Sequence, residues 1–116
     1  NNNAIDSYRT FVRAGDDLHV RVDTVATGTA SDLCVRVYDT DGTTMLGSFD
    51  DNFDCTFPPP SFRCPDGTIT DVPNTGFVTV RVNQCSTNCV DASNNEYELT
   101  VERGTTPAVL MAVQDL

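Results

Sequence analysis

The sequence predicts an all-β fold: an antiparallel two-sheet β-sandwich, jelly-roll-like, with seven or eight short strands and disulfide-braced loops. Apolar residues recur at every second position in each strand-like stretch, and no stretch has the i, i+3, i+4, i+7 spacing of a helix. Turn-forming residues separate these stretches at intervals of roughly 8 to 12 residues, as in sandwich domains. The 116 residues predict a single domain over 1–116, with a core at about 5–102.

Four stretches predict strands most directly. Leu18, Val20 and Val22 alternate with polar residues, and so do Leu33, Val35 and Val37. The same pattern runs through 77–82 and 97–101. Because successive side chains of a strand point to opposite faces, one face of each stretch is predicted to be buried. The polar positions of the last two stretches face outward: Thr79, Arg81, Glu98 and Thr100.

Turn sequences set the boundaries of these strands. The segment 14–17 (Ala-Gly-Asp-Asp) and the segment 39–42 (Asp-Thr-Asp-Gly) each predict a hairpin turn, the second with Gly42 in a left-handed conformation. The segment 73–76 predicts a third turn before the strand that begins at Phe77. Residues 51–68 have little strand character and are predicted to form a long surface loop.

Five cysteines in so short a chain indicate an oxidising compartment and hence an extracellular or cell-surface protein. Loop position and spacing predict two disulfides, Cys55 with Cys64 and Cys85 with Cys89. Zinc is the competing interpretation, but His19 is the only histidine and no two cysteines have the two-residue spacing of a zinc knuckle. Cys34 is left over on an outward strand position, and we expect a covered, unpaired thiol there rather than a link to a neighbouring molecule.

The formal charge of −10 excludes nucleic-acid binding, because phosphate backbones would repel the chain. No apolar run approaches the roughly 20 residues of a membrane span, so no membrane insertion is expected. All seven basic residues are arginines, which excludes lysine chemistry. His19, the one imidazole, is interpreted as a solvated strand residue rather than a catalytic base, and the chain is predicted not to be an enzyme.

Acidic residues cluster in the predicted loops and make calcium the candidate cofactor, because hard cations take several oxygen ligands. The predicted metal ligands are Asp39, Asp41, Asp50 and Asp51. A second cluster, Asp91, Asn94, Asn95 and Glu96, is the weaker candidate. The alternative is that these side chains are ordinary turn formers, hydrogen-bonded to local backbone.

The order of motifs resembles the bacterial pre-peptidase C-terminal domain, a β-sandwich appended to secreted proteases and other exported proteins. The likeness spans about Asp6 to Glu102. It is carried by Asp6-Ser7-Tyr8 with Ala14-Gly15-Asp16, by Asp32-Leu33-Cys34-Val35, by Thr75-Gly76-Phe77 and by the closing Tyr97-Glu98-Leu99-Thr100-Val101. Cys34 departs from the family pattern, which has an aromatic residue there, and the spacing of Tyr8 and Phe11 suggests a β-bulge. The resemblance implies a non-catalytic accessory module.

Two functions follow from these observations. The first is an extracellular accessory module that attaches to a protein or polysaccharide surface. The second is a structural subunit that assembles with copies of itself into a fibre or surface layer by terminal strand exchange. The apolar tail at 105–116 bears on both, because residues 108–113 are costly to expose to water. We expect it to return as a strand on its own sheet edge, the alternative being pairing with a neighbouring subunit.

Overall fold

The computed structural model describes residues 5–25, 32–57, 63–84, 96–104, 109–110 and 114–115. These residues form strands and turns but no helix, and hence no helix of the length and apolar character needed to cross a membrane. The strands, in chain order, are β1 Ile5–Val12, β2 Leu18–Thr24, β3 Leu33–Tyr38, β4 Met45–Phe49, β5 Asp66–Ile69, β6 Gly76–Gln84, β7 Glu96–Arg103, β8 Val109–Leu110 and β9 Gln114–Asp115.

The strands form two antiparallel sheets, which confirms the predicted two-sheet sandwich. Sheet A has the order β1-β6-β3-β4, and sheet B has the order β5-β2-β7-β8, with β9 also pairing with β7. Every strand pair within the described residues is antiparallel. Strands that are consecutive in the chain mostly belong to different sheets, so the two sheets are tied together by repeated crossings.

Valine at alternate positions builds the core between the sheets. In β2 and β3 the apolar positions predicted to point inward are fully or almost fully buried, while the residues between them are partly exposed except Cys34, which is also buried. β-branched side chains suit this environment because they pack well on a pleated, half-buried surface. The buried cluster is made of Val12, Leu18, Val20, Val22, Leu33, Val35, Val37, Ile69, Val72, Val78, Val80, Val82, Tyr97, Leu99 and Val101.

A buried tyrosine links the edge of sheet A to sheet B. Tyr97 on β7 is fully buried, and its hydroxyl donates to a carboxylate oxygen of Asp6 on β1 at 2.7 Å. The hydroxyl of Tyr8 lies 2.6 Å from the same oxygen of Tyr97 and donates to it. A buried hydroxyl without a partner would destabilise the fold, and this chain of hydrogen bonds removes that cost. Burial raises the pKa of both tyrosines.

The predicted turns are confirmed at 39–42 and corrected at 14–17. Gly42 has φ = 78° in the β3–β4 hairpin, the left-handed conformation that glycine adopts without strain. The segment 14–17 is not a hairpin, because β1 belongs to sheet A and β2 to sheet B. Gly15, with φ = 93°, lies in a turn that carries the chain across the sandwich instead.

The bulge expected near Phe11 is absent, because β1 pairs with β6 in unbroken register from Ile5 to Val12. Tyr8 and Phe11 differ by an odd number of positions, so strict alternation places Tyr8 inward and Phe11 outward. The register shifts instead between Val37 and Tyr38 on the β3–β4 pair. The spacing of Tyr8 and Phe11 therefore needs no bulge, because the two rings lie on opposite faces of β1.

The predicted loop at 51–68 is partly corrected. Its last residues form the start of β5, which pairs with β2. The predicted Cys55–Cys64 disulfide is confirmed, and Phe53 forms an isolated bridge with Cys64 beside it. The bond closes a loop with a sequence separation of 9 and is expected to contribute about 2–3 kcal/mol by restricting the unfolded chain.

The two described parts of the tail pair with β7 of the same chain. Val109 and Leu110 in β8 lie opposite Val101 and Thr100, while Gln114 and Asp115 in β9 lie opposite Tyr97 and Glu96. The expected return of the tail to its own sheet edge is confirmed at these four residues. Because an open edge exposes unpaired N–H and C=O groups, the return also covers β7.

We predict that Gly67→Ala destabilises the sandwich. The ring of Phe49, on the edge strand of sheet A, lies directly over Gly67 in the edge strand of sheet B, and a Cβ atom at position 67 would overlap the ring. Overpacking of this kind costs about 1–3 kcal/mol. The measurement is the free energy of unfolding in urea, with Thr68→Ala, at the neighbouring exposed position, as the control. Equal stabilities for the two variants would contradict the packing assigned to Phe49.

Candidate functional site

Asp39 and Asp41 occupy the hairpin turn and are engaged in hydrogen bonds there. One oxygen of Asp39 accepts the backbone N–H of Thr40 at 2.7 Å, and the other accepts the side-chain amide of Asn74 at 2.9 Å. Asp41 accepts the hydroxyl and backbone N–H of Thr44 and the N–H of Thr43. These hydrogen bonds, led by the one from the Thr44 hydroxyl, lower the pKa of Asp41 to about 2. Both residues therefore act as turn formers, as the alternative interpretation of the sequence had it.

Asp50 and Asp51 lie at the other end of β4 from that turn, so the predicted set of four metal ligands is not brought together. The structure places them beside Asp32 instead. Carboxylate oxygens of Asp32, Asp50 and Asp51 lie within 4.8 Å of one another. We call these three residues the acidic trio.

Asp32 precedes β3 and Asp50 follows β4, and antiparallel pairing of the two strands brings the residues together across the open end of the hairpin. The sequence carried this information, because the hairpin turn at 39–42 was predicted. Counting outward from that turn pairs position 32 with 49, next to Asp50, and the observed register, with its shift between Val37 and Tyr38, moves this partner to about 52. The error was to group acidic residues by distance along the chain instead of across the hairpin.

The acidic trio is electrostatically unfavourable without a counter-ion. Burial, together with the charges of Asp50 and Asp51, raises the pKa of Asp32 to about 6. Burial and Asp51 also raise the pKa of Asp50, although Arg36 acts in the opposite direction. One oxygen of Asp32, Oδ1, is buried and accepts no hydrogen bond from the described part of the chain. This oxygen is available to a proton or a cation.

Cys34 is 1% exposed, as expected for a covered sulfur, but it is disulfide-bonded. The expectation of an unpaired thiol is therefore wrong. Since Cys55 and Cys64 bond to each other, the sulfur that Cys34 binds lies outside the described residues. Cys85 and Cys89, with the bond predicted between them, also lie outside, as do Asp91, Asn94 and Asn95 of the second acidic cluster. A bond from Cys34 to either of those two cysteines would replace the predicted one.

His19 lies on the outer face of sheet B between two carboxylates. Its Nε2 is hydrogen-bonded to Asp66, and its Nδ1 lies 3.8 Å from a carboxylate oxygen of Glu102. Both partners face the ring from neighbouring strands, since β2 pairs with β5 and β7. The outward position predicted for His19 is therefore observed. Its ring lies between the carboxylates of Asp66 and Glu102.

The outer face of sheet A combines aromatic and basic side chains. Its strand positions include Arg9 and Phe11 on β1, Phe77 and Arg81 on β6, and Arg36 and Tyr38 on β3, with Met45 at the edge on β4. None of its outward strand positions is acidic, although the chain has 17 acidic and 7 basic residues. We call this surface the basic face.

Arginine and aromatic side chains of the basic face contact one another. The guanidinium of Arg9 lies 5.0 Å from the ring centre of Phe77, and that of Arg81 lies 4.6 Å from the ring centre of Tyr38. Phe11 packs edge-on against Phe77 with ring centres 5.6 Å apart. Phe77 is nevertheless 52% exposed. These contacts hold the arginine side chains in place without neutralising their charge.

Two arginines oppose each other at the centre of the basic face. Arg36 and Arg81 are direct cross-strand partners on β3 and β6, and like charges in that position repel. Arg36 donates to the amide oxygen of Asn83 at 3.3 Å, but neither guanidinium has a carboxylate within salt-bridge distance in the described residues. The Nε of Arg81 is buried and has no hydrogen-bond partner there.

The outer face of sheet B has the opposite charge. Its strand positions include Asp23 on β2, Asp66 on β5, and Glu98 and Glu102 on β7, against one arginine, Arg21. We call this surface the acidic face. Asp23 and Glu98 are direct cross-strand partners. Arg21 lies 3.8 Å from Asp23, whereas Glu98 has no ion pair among the described residues.

Comparisons with known proteins gave no match: no family model, no curated protein and no solved structure matches the chain. The resemblance to the pre-peptidase C-terminal domain therefore remains a prediction. The two outer faces and the acidic trio are the candidate binding sites among the described residues.

We predict that Asp32→Asn stabilises the protein at pH 7.5 in the presence of a chelator. Because the pKa of Asp32 is raised in the folded state, folding favours the protonated carboxyl. Stability is therefore lost as the pH rises from about 4, the ordinary pKa of an aspartate, to about 6. At pH 7.5 the variant should gain up to about 1 kcal/mol after discounting for solvent screening.

The measurement is the thermal midpoint of the wild type and the variant between pH 4 and pH 8. The two curves should converge near pH 4 and separate above it. Asp71→Asn removes the same charge outside the acidic trio and serves as the control. A constant difference at all pH values would show that the carboxyl of Asp32 is not the titrating group.

Proposed function

We propose that the protein is a non-catalytic extracellular binding module that attaches to a carboxylate-bearing macromolecule through the basic face. The observation that carries this proposal is the Arg36–Arg81 pair. Two guanidinium groups that oppose each other with no carboxylate within salt-bridge distance among the described residues repel, although Asp50 acts on Arg36 from farther away. An anionic group bound between them would offset the repulsion and accept hydrogen bonds from the two guanidinium groups.

The composition of the basic face also supports binding. Phenylalanine, tyrosine, methionine and arginine are the residue types enriched at protein interfaces, and acidic residues are depleted there. Arginine has a planar, forked set of donors that matches a carboxylate, and the aromatic rings beside it add apolar contact area. The exposed rings of Phe11 and Phe77 place this area next to the arginines.

The extracellular location is supported by the disulfide chemistry. The Cys55–Cys64 bond and an oxidised Cys34 are the state expected of a secreted protein. The resemblance to the pre-peptidase C-terminal domain points to the same compartment and to an accessory role. Attachment to a protein or to an acidic polysaccharide would both use the carboxylate chemistry of the basic face.

A structural subunit that assembles with its own copies is the second candidate function. The acidic face favours it, because one chain then carries both a basic surface and a surface of complementary charge. The tail pairs with β7 of its own chain at residues 109–110 and 114–115. Assembly through the two faces would therefore not require the tail to be exchanged.

We also propose calcium as a ligand of the acidic trio, in place of the four residues predicted from the sequence. Asp32, Asp50 and Asp51 offer three carboxylates in one place, and Oδ1 of Asp32 is buried without a hydrogen bond. Calcium takes oxygen ligands and tolerates irregular geometry, which suits a set of aspartates at the end of a hairpin.

We predict that the double variant Arg36→Ser with Arg81→Ser loses affinity for polyglutamate. Each charge-assisted hydrogen bond to a guanidinium is worth about 1.5–3 kcal/mol, so the dissociation constant should rise at least about tenfold. The measurement is isothermal titration calorimetry of the full chain in 0.15 M salt, with polygalacturonate as a second carboxylate polymer.

The control is Arg13→Ser with Arg63→Ser, which removes two exposed arginines outside the basic face and changes the net charge equally. It should bind nearly as tightly as the wild type. If both double variants weaken polyglutamate binding to the same degree, the net charge of the chain determines the affinity, and the basic face is not the binding site.

We predict that millimolar calcium raises the thermal midpoint of the wild type at pH 7.5, because a ligand that binds only the folded state stabilises it by mass action. At ten times the dissociation constant the gain would be about 1.4 kcal/mol, or a few degrees. Asp32→Asn should abolish the increase, whereas Asp41→Asn should retain it. A midpoint that calcium leaves unchanged from its value in chelator would refute the calcium proposal.

A further inference from the structure

The two outer faces of the sandwich are complementary to each other. The basic face carries Arg9, Arg36 and Arg81 and no acidic strand residue. The acidic face, on the opposite side of the molecule, carries Asp23, Asp66, Glu98 and Glu102 together with one arginine, Arg21. A chain with a net charge of −10 that collects three of its seven arginines on one sheet surface has a marked separation of charge.

Each face also contains a like-charged cross-strand pair. Arg36 opposes Arg81 on the basic face, and Asp23 opposes Glu98 on the acidic face. Such pairs destabilise an isolated sheet. On the acidic face the carboxylate of Asp23 is already engaged, since it accepts the N–H and the hydroxyl of Thr56 and lies 3.8 Å from Arg21. Glu98 and both arginines of the basic pair have no ion pair among the described residues. These remaining charges have opposite sign, so bringing the faces together pairs them.

We propose that the partner of the basic face is the acidic face of a second copy of this chain. The inference rests on the proposed function, since it names the carboxylate-bearing partner of the same surface. Arg36 and Arg81 of one copy would lie against the carboxylates around Glu98 of the next. The exposed rings of Phe11 and Phe77 supply the apolar area that such a contact needs beside its charges.

The contact is head-to-tail, because two different surfaces meet. When the basic face of one copy binds the acidic face of the next, the basic face of that next copy stays free to bind a third. The assembly therefore extends unless it closes into a ring. Packed sheets lie about 10 Å apart, and a stack of two-sheet sandwiches would therefore repeat at about 20 Å per copy. The net negative charge opposes approach over long distances, and salt near 0.15 M screens that repulsion to about 8 Å.

The test uses two charge-reversed variants of the full chain. Arg36→Glu with Arg81→Glu reverses the centre of the basic face, and Glu98→Arg with Glu102→Arg reverses much of the acidic face. The first variant then has two acidic faces and the second has two basic faces, so identical copies of either variant repel each other. Each variant keeps one native face, through which it can bind the other variant. Circular dichroism and thermal unfolding establish that both variants fold before association is measured.

Sedimentation velocity in 0.15 M salt measures association. We expect wild-type chains to associate with rising concentration, each variant alone to associate at least about tenfold more weakly, and an equimolar mixture of the two to recover association through the native pair of faces. Variants that associate as the wild type does, or a mixture that stays monomeric while the wild type assembles, would overturn the inference.

Polyglutamate binding separates this inference from the proposed function. The acidic-face variant should bind polyglutamate at least as well as the wild type, whereas the basic-face variant should lose binding. If the wild type binds polyglutamate through the basic face but stays monomeric at all concentrations, the partner is a different polyanion and the second copy is excluded. If the basic-face variant binds polyglutamate unchanged, the proposed function itself fails.

Discussion

Burial of one face of each sheet is the constraint on which the rest of the structure depends. Valine at alternate positions points into the space between the sheets, where the described residues of the two sheets bury each other's apolar faces. Once Val35 and Val37 on β3 and Val80 and Val82 on β6 are fixed inward, the positions between them are fixed outward. A shift of one residue would place arginine in the core and valine in water. The opposition of Arg36 and Arg81 is therefore a consequence of the same register that closes the core.

The alternation pattern was sufficient to predict which side of each strand is buried. It placed β2, β3, β6 and β7 correctly and gave the outward positions of Arg81 and Glu98. It could not assign strands to sheets, since alternation is the same in either sheet. The turn at 14–17 was therefore taken for a hairpin, although it crosses between sheets. The basic face was not predicted for the same reason: its arginines come from three strands whose adjacency is a property of the topology.

The candidate cation site shows a related limit. Acidic residues near each other in the sequence were grouped at 39–51, but a strand of five residues separates the two halves of that group. Hydrogen bonds from Thr40, Thr44 and Asn74 satisfy the carboxylates of the turn. Asp32, which no grouping along the chain would include, completes the acidic trio across the hairpin. The pairing of β3 with β4 determines which carboxylates lie together, whereas proximity in the sequence does not predict it.

Arginine-specific labelling tests residue by residue whether an anionic partner binds the basic face. The chain has seven arginines and no lysine, so modification by phenylglyoxal followed by peptide mass spectrometry reports on every arginine. With polyglutamate bound, we expect slower modification of Arg9, Arg36 and Arg81 and unchanged rates at Arg13 and Arg63. Equal protection of all the arginines, or protection confined to Arg13 and Arg63, would show that the basic face is not the binding site.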